Sequence, residues 1–204
     1  MNRRSLGCLF ELLETLLVTA VIFLLLQMFV VQPYQIQQQS MENTLMPNQY
    51  ILVDKLTPRF DAYHHGDVVI FDPPAGWSHD ASGTPFIKRV IGIGGDTVDI
   101  HDGHVFVNGT QLAEPYVYMD QQTQPADPNN HTWKLAAGQL FVMGDHRSDS
   151  QDSRVFGPIQ RASVIGRAWV RYWPFDQFGL LAPATAPAGA TDAPVATASP
   201  TAKP

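Results

Sequence analysis

A single cysteine, Cys8, is all the sequence contains, which excludes an internal disulfide and any cysteine-based metal cluster. Positive charge is scarce as well. Lys and Arg number 13 against 19 Asp and Glu, for a formal net charge of −6, and no basic stretch is dense enough to track a phosphate backbone. Nucleic acid is therefore not an expected partner. Neither Lys nor Arg occurs between Arg4 and Lys55, and beyond Tyr50 no long helical period competes with the short apolar runs.

The first of the features present is the run "LLVTAVIFLLLQMFVV", Leu16 to Val31, broken only by Thr19 and Gln27. With "LFELLE" ahead of it, it approaches the roughly 20 residues needed to cross a hydrocarbon core of about 30 Å. No small-x-small pattern follows Val31, so a retained anchor is expected over 12–31 rather than a removable leader. Arg3 and Arg4 precede it, which places a short N-terminus, 1–11, in the cytoplasm and the remainder outside.

From Tyr50 onward the runs "YILVDKL", "DVVIFD", "FIKRVIGI", "TVDI", "HVFVNG", "QLFVMG" and "VIGRAWVRYW" are rich in Val, Ile and Phe and are punctuated by Gly, Pro, Asp and Asn. They predict a mainly β domain over 32–181. Asp102-Gly103 between two such runs predicts a tight hairpin. From Ala182 the chain turns to Ala, Pro and Thr, with too little apolar surface to offset the entropy of ordering, so 182–204 is expected to be a disordered tail.

Chemistry enters at "QQQSMENTL", Gln37 to Leu45, just past the anchor. A nucleophilic Ser40 needs a group to take its proton. The seven histidines fall in turns or polar loops, and His101 and His104, flanking a tight turn without a nearby Cys or Glu, make a poor metal pair. In "PFIKRVIG" the two-residue period puts Phe86, Lys88 and Val90 on one strand face and Ile87, Arg89 and Ile91 on the other. To act as a base near pH 7 to 8, Lys88 must lose about 3 pKa units, roughly 4 kcal/mol against its charged form, which burial is able to supply. Downstream, "MGDHRSDSQDSRVFG" gathers Asp145, Arg147, Asp149, Asp152 and Arg154 around Ser148, Ser150 and Ser153. Paired aspartates and arginines would fix the backbone there, and a serine hydroxyl is able to orient an amine without adding charge.

Four boxes in order behind an N-terminal apolar run, "SMENTL", "HGDVVIF", "KRVIGIGGD" and "GDHRSDSQDSRVFG", resemble those of the bacterial type I signal peptidases. The resemblance implies a signal-peptidase-like β-rich catalytic domain behind one transmembrane helix, in the bacterial cytoplasmic membrane. It implies a serine endopeptidase with a Ser/Lys dyad and no cofactor or metal, Ser40 being the nucleophile and Lys88 the general base. It further implies that Ser150 hydrogen-bonds the lysine, that Arg89 pairs with Asp145 and Asp152 with Arg154, and that the substrate pockets are shallow and apolar. By register with the boxes, Ile36, Met41, Leu45, Phe86 and Ile87 are the candidates to line them. The implied partners are signal peptides of exported preproteins, the lipid bilayer and the secretion machinery.

The chain departs from the family pattern at three positions. Asn43 and Gly94 stand where the family usually has proline, so both turns are expected to be looser. Gln38 stands two residues before Ser40, where relatives carry serine or glycine beside the oxyanion. The Ser40 N–H is one expected donor and Gln38 the candidate for the second; a missing donor costs about 2.7–4 kcal/mol of transition-state stabilisation.

Overall fold

Residues 3–74, 76–77, 84–181 and 183 are described by the computed structural model of the chain. The apolar N-terminal run forms one continuous helix, α1, Arg3–Phe29. Its segment Phe10–Phe29 is 20 residues long, with mean hydropathy 2.2 and none of it buried against the rest of the protein. At 1.5 Å per residue this is about 30 Å, the thickness of a hydrocarbon core. The helix ends two residues short of the expected limit at Val31. Val30 forms the turn, its N–H bonding to Leu26, and Val31 is already the first residue of a strand. Apart from Pro183, the expected tail 182–204 lies outside the described residues.

Among the described residues twelve strands follow: β1 Val31–Gln35, β2 Tyr50–Asp54, β3 Val68–Phe71, β4 Phe86–Ile93, β5 Thr97–His101, β6 His104–Val107, β7 Thr110–Gln111, β8 Thr132–Lys134, β9 Gln139–Met143, β10 Ile159–Gln160, β11 Val164–Trp173 and β12 Gly179–Leu180. All seven apolar runs become strands, because β-branched and aromatic side chains pack well on a pleated surface. The strands form two antiparallel sheets, one ordered β1-β2-β11-β3-β4-β9-β10 with β12 beside β11, the other β7-β6-β5-β8. Asp102 and Gly103, with φ of 52° and 81°, make the two-residue β5–β6 turn that needs positive φ at both positions.

The long strands β4 and β11 and the bulge between Val90 and Gly92 let one sheet serve three apolar clusters. Ile36, Met41, Leu45, Val53 and Ile87 form one; Val69, Phe71, Val90, Leu140 and Val142 a second; Ile91, Val98, Trp133, Phe141 and Met143 a third, beneath the small sheet. β4 passes through all three. The side chain it carries at position 88 therefore rises from the interior of the sheet, and Lys88 is 1% exposed.

Candidate active site

Two elements bring the site together. Strand β4, in the interior of its sheet, fixes Lys88 opposite Val69 on β3. The chain leaving β1 makes a tight turn at residues 40–44, closed by bonds from the Glu42 N–H to the Gln39 carbonyl and from the Leu45 N–H to the Met41 carbonyl, at 2.9 and 2.7 Å. Met41 and Leu45, both fully buried, anchor that turn in the core. Lys88 Nζ then lies 2.6 Å from Ser40 Oγ. Ser40 is 5% exposed, and both side chains border a cavity of about 520 Å³ shared with Gln38, Phe86, Asp149 and Ser150.

Burial pushes the Lys88 ammonium down from its ordinary 10.5 to about 8, opposed by the carboxylates of Asp152 and Asp145 and assisted by Arg154. The shift is the one a lysine base requires, since desolvation penalises the charged form and leaves the neutral amine accessible near neutrality. The amine also lies 5.5 Å from the Phe86 ring centroid.

The segment after β9 supplies the frame. Arg89 grips Asp145 with two bonds, Nε to Oδ1 at 2.8 Å and Nη2 to Oδ2 at 2.7 Å, donates to the Gly66 carbonyl and lies over the Tyr116 ring. Asp152 caps α3, Ser153–Phe156, and is held by Arg154 Nε and Nη2, both at 2.8 Å. Burial alone would raise the Asp152 carboxyl, but Arg154, the Ser150 hydroxyl and the Gly144 N–H keep it below the ordinary carboxylate range. A buried charge is tolerated when its lone pairs are filled in this way.

Several expectations are changed by the geometry. The Ser150 hydroxyl donates to Asp152 Oδ2 at 2.7 Å, and among the described residues the hydrogen-bond partner of Lys88 Nζ is Ser40, not Ser150. It remains on the cavity wall beside Lys88. Met41 and Leu45 are core residues with no surface to offer a substrate. Phe86, by contrast, borders the Ser40 cavity, and Ile36 and Ile87 line a neighbouring one of about 220 Å³ that meets it at Gln38. The alternation of β4 sends Phe86 and Ile87 to these two cavities. Neither turn lacking proline is loose. Asn43 has φ of 83°, a conformation closed to proline, and its Nδ2 donates to the Tyr116 carbonyl at 3.1 Å. A Cβ on Gly94 would lie 2.9 Å from the Ala136 carbonyl oxygen, so that position is set by close backbone approach.

Sequence reasoning missed Thr44, whose hydroxyl donates to Asp145 Oδ2 at 2.5 Å while accepting from Arg89 at 2.9 Å, tying the Ser40 turn to the ion pair. It also missed Gly144, whose N–H bonds to Asp152, and the clamp of Arg147 on Glu114 and Thr123. The signal for Gly144 was present in "MGDHRS", where a glycine ends an apolar strand. The backbone N–H of Ser40 has no acceptor among the described residues. Among those residues no cluster of His, Cys, Asp or Glu has the makings of a metal site.

Residues 9–173 match the family model described as signal peptidase, peptidase S26. The chain is 34% identical over 180 residues to the signal peptidase I of Leptolyngbya laminosa, covering 86% of this chain and 85% of that protein. It is 36% identical over 174 residues to the probable signal peptidase I-1 of Synechocystis sp., covering 84% and 86%, and 31% identical over 184 residues to signal peptidase IB of Staphylococcus aureus, covering 82% and 93%. The crystal structure of a signal peptidase I from Enterococcus faecalis is 30% identical and overlaps 52% of this chain and 97% of that one, with a TM-score of 0.42.

Proposed function

Because the chain belongs to the signal peptidase family S26 and is a serine peptidase of that family, we propose that it removes N-terminal signal peptides from exported preproteins with Ser40 as nucleophile and Lys88 as general base. The observation that carries this reading is the 2.6 Å contact between Lys88 Nζ and Ser40 Oγ, made by an amine that burial has brought down to about 8. The neutral amine takes the hydroxyl proton as Oγ attacks the scissile carbonyl, and the resulting ammonium returns it to the leaving amine. An acyl-enzyme results. Lys88 then deprotonates the water that releases the signal peptide, restoring the Ser40 hydroxyl.

The unengaged Ser40 N–H is one donor to the oxyanion, and Gln38, on the wall of both cavities, is the second. The pairs Arg89–Asp145 and Asp152–Arg154 hold the turn and the base in register without contacting substrate. The cavity with Phe86 and the smaller one with Ile36 and Ile87 receive the small side chains at the first and third positions before the cut. No cofactor or metal has a part in these steps. With α1 spanning the bacterial cytoplasmic membrane and the N-terminus in the cytoplasm, the domain over 32–181 faces outward, beside the bilayer and the secretion machinery from which the preprotein emerges.

The test is a matched pair of variants, Ser40→Ala and Lys88→Ala, assayed on a peptide carrying an Ala-x-Ala site. Both are expected to lose cleavage while retaining the fold. Processing at the parent rate by either one defeats the assignment.

A further inference from the structure

The cations of this chain are few, and three of them converge. Lys55, Arg59 and Arg161 border an open cavity of about 680 Å³ that shares no lining residue with the Ser40 cavity, with Tyr63 and Ile165 on its walls. None of the described residues lining it is Asp or Glu. Arg167, which passes nearby, is already engaged by Asp67 at 3.0 Å. Among the described residues the Arg161 guanidinium donates to the backbone carbonyls of Pro58 and Asp61, at 2.8 and 3.0 Å, and lies over the Tyr63 ring, and Lys55 Nζ donates to Gln32 Oε1 at 3.1 Å; these contacts orient the side chains without neutralising them. Asp54 and Asp61 lie beside these cations in the chain, Asp54 bonded to the Leu56 and Thr57 N–H groups and Asp61 3.9 Å from Arg167, and neither lines the cavity.

Its position narrows what it holds. The Lys55 N–H donates to the carbonyl of Val30, the residue after α1, and the Arg59 guanidinium lies 6.0 Å from the ring centroid of Phe29, the last residue of that helix. Lys55 and Arg59 thus stand beside the end of the apolar span, with Arg161 reached through its bond to the Pro58 carbonyl. Helix α2, Thr57–Phe60, carries Arg59 between exposed apolar side chains, Leu56 just before it and Phe60, which is 85% exposed. Apolar and cationic side chains interleaved at the end of a membrane span are suited to the headgroup layer, the cations meeting phosphates and the apolar groups entering the acyl boundary.

We propose that this cavity binds the phosphate of an anionic phospholipid headgroup, with Lys55 and Arg59 as its charged arms and Arg161 as its floor. The inference rests on the reading of α1 as membrane-spanning and is independent of the Ser40 chemistry. The full-length chain and a Lys55→Gln/Arg59→Gln variant are reconstituted in nanodiscs of equal phosphatidylglycerol and phosphatidylcholine, and the lipid retained on gentle release is counted by native mass spectrometry. The parent is expected to keep phosphatidylglycerol preferentially, and the variant to lose that preference by roughly 30-fold, while both cleave an Ala-x-Ala peptide equally in lipid-free detergent. Equal retention of the two lipids by the parent, or an undiminished preference in the variant, overturns the proposal, as does displacement of the lipid by millimolar inorganic phosphate, which marks a soluble-anion site. A carbonate wash separates the two readings: a parent stripped from the bilayer refutes the span as well, whereas one that stays embedded without lipid preference refutes the headgroup site alone.

Discussion

The carbonyl oxygen of Ser40 accepts the backbone N–H of His146 at 3.1 Å, so the loop after β9 is fastened to the residue whose hydroxyl meets Lys88. Gly144 makes this approach possible. A Cβ there would lie 2.5 Å from the Ser40 carbonyl oxygen and overlap the Ser150 hydroxyl. Gly144→Ala is therefore expected to push the loop off the Ser40 turn; a shift of about 1 Å at such a site costs on the order of 10²-fold in rate. Steady-state cleavage by a variant with unchanged secondary structure measures it, and parent-like kcat/KM would contradict it.

The pH profile follows from the buried amine. With Lys88 at about 8, the active neutral form is the minor one at pH 7 and the major one at pH 9. Cleavage expressed as kcat/KM should rise with pH and reach half its plateau near pH 8. A flat profile from pH 6 to 9 would remove Lys88 from the role of base.

Stability carries the same signature. An unfolded lysine holds its proton to about 10.4, whereas the folded chain releases it from about 8. Between these values the unfolded state binds more protons, so the cost of burying Lys88 is full below pH 8 and fades as pH rises towards 10.5. The gain is of the order of 3 kcal/mol. Denaturant melts of the parent and Lys88→Met across pH 7 to 10.5 should find the variant more stable at pH 7 and the gap closing above pH 8. A constant gap would contradict the depressed value.

Asn43 offers a test of local geometry. At φ of 83° proline cannot be accommodated, while glycine can. Asn43→Pro should destabilise the protein by more than about 1 kcal/mol and slow cleavage. Asn43→Gly, losing mainly the bond to Tyr116, should cost about 1 kcal/mol. Thermal melts of the two variants decide the matter.

These tests show where a linear reading reaches its limit. Strands such as "DVVIFD" and "FIKRVIGI" were legible because apolar content and turn residues act locally, and the 2.6 Å approach of Ser40 and Lys88 agrees with an expectation that came from four boxes standing in order. Strand β1 was not. "VQPYQ" lacks alternation and contains Pro33, which only an edge strand tolerates, and β1 is the edge strand of its sheet. Thr44 and Arg147 were hidden for a different reason: their partners lie 101 and 24 to 33 residues away, so only the folded backbone brings them together. The target of Ser150 depends on which way its side chain turns between Asp152 and Lys88, which sequence order cannot resolve.

The junction at Val30 has a mechanical consequence. One residue separates α1 from β1, and β1 is bonded to β2 along its whole length. With no slack in the connection, α1 and the edge strand of the large sheet are joined almost directly, and the Ser40 turn follows five residues after that strand ends. Any change in the direction of α1 is therefore passed to the edge of the large sheet, and on the proposed reading of α1 as a membrane span that coupling would fix how the domain sits against the bilayer.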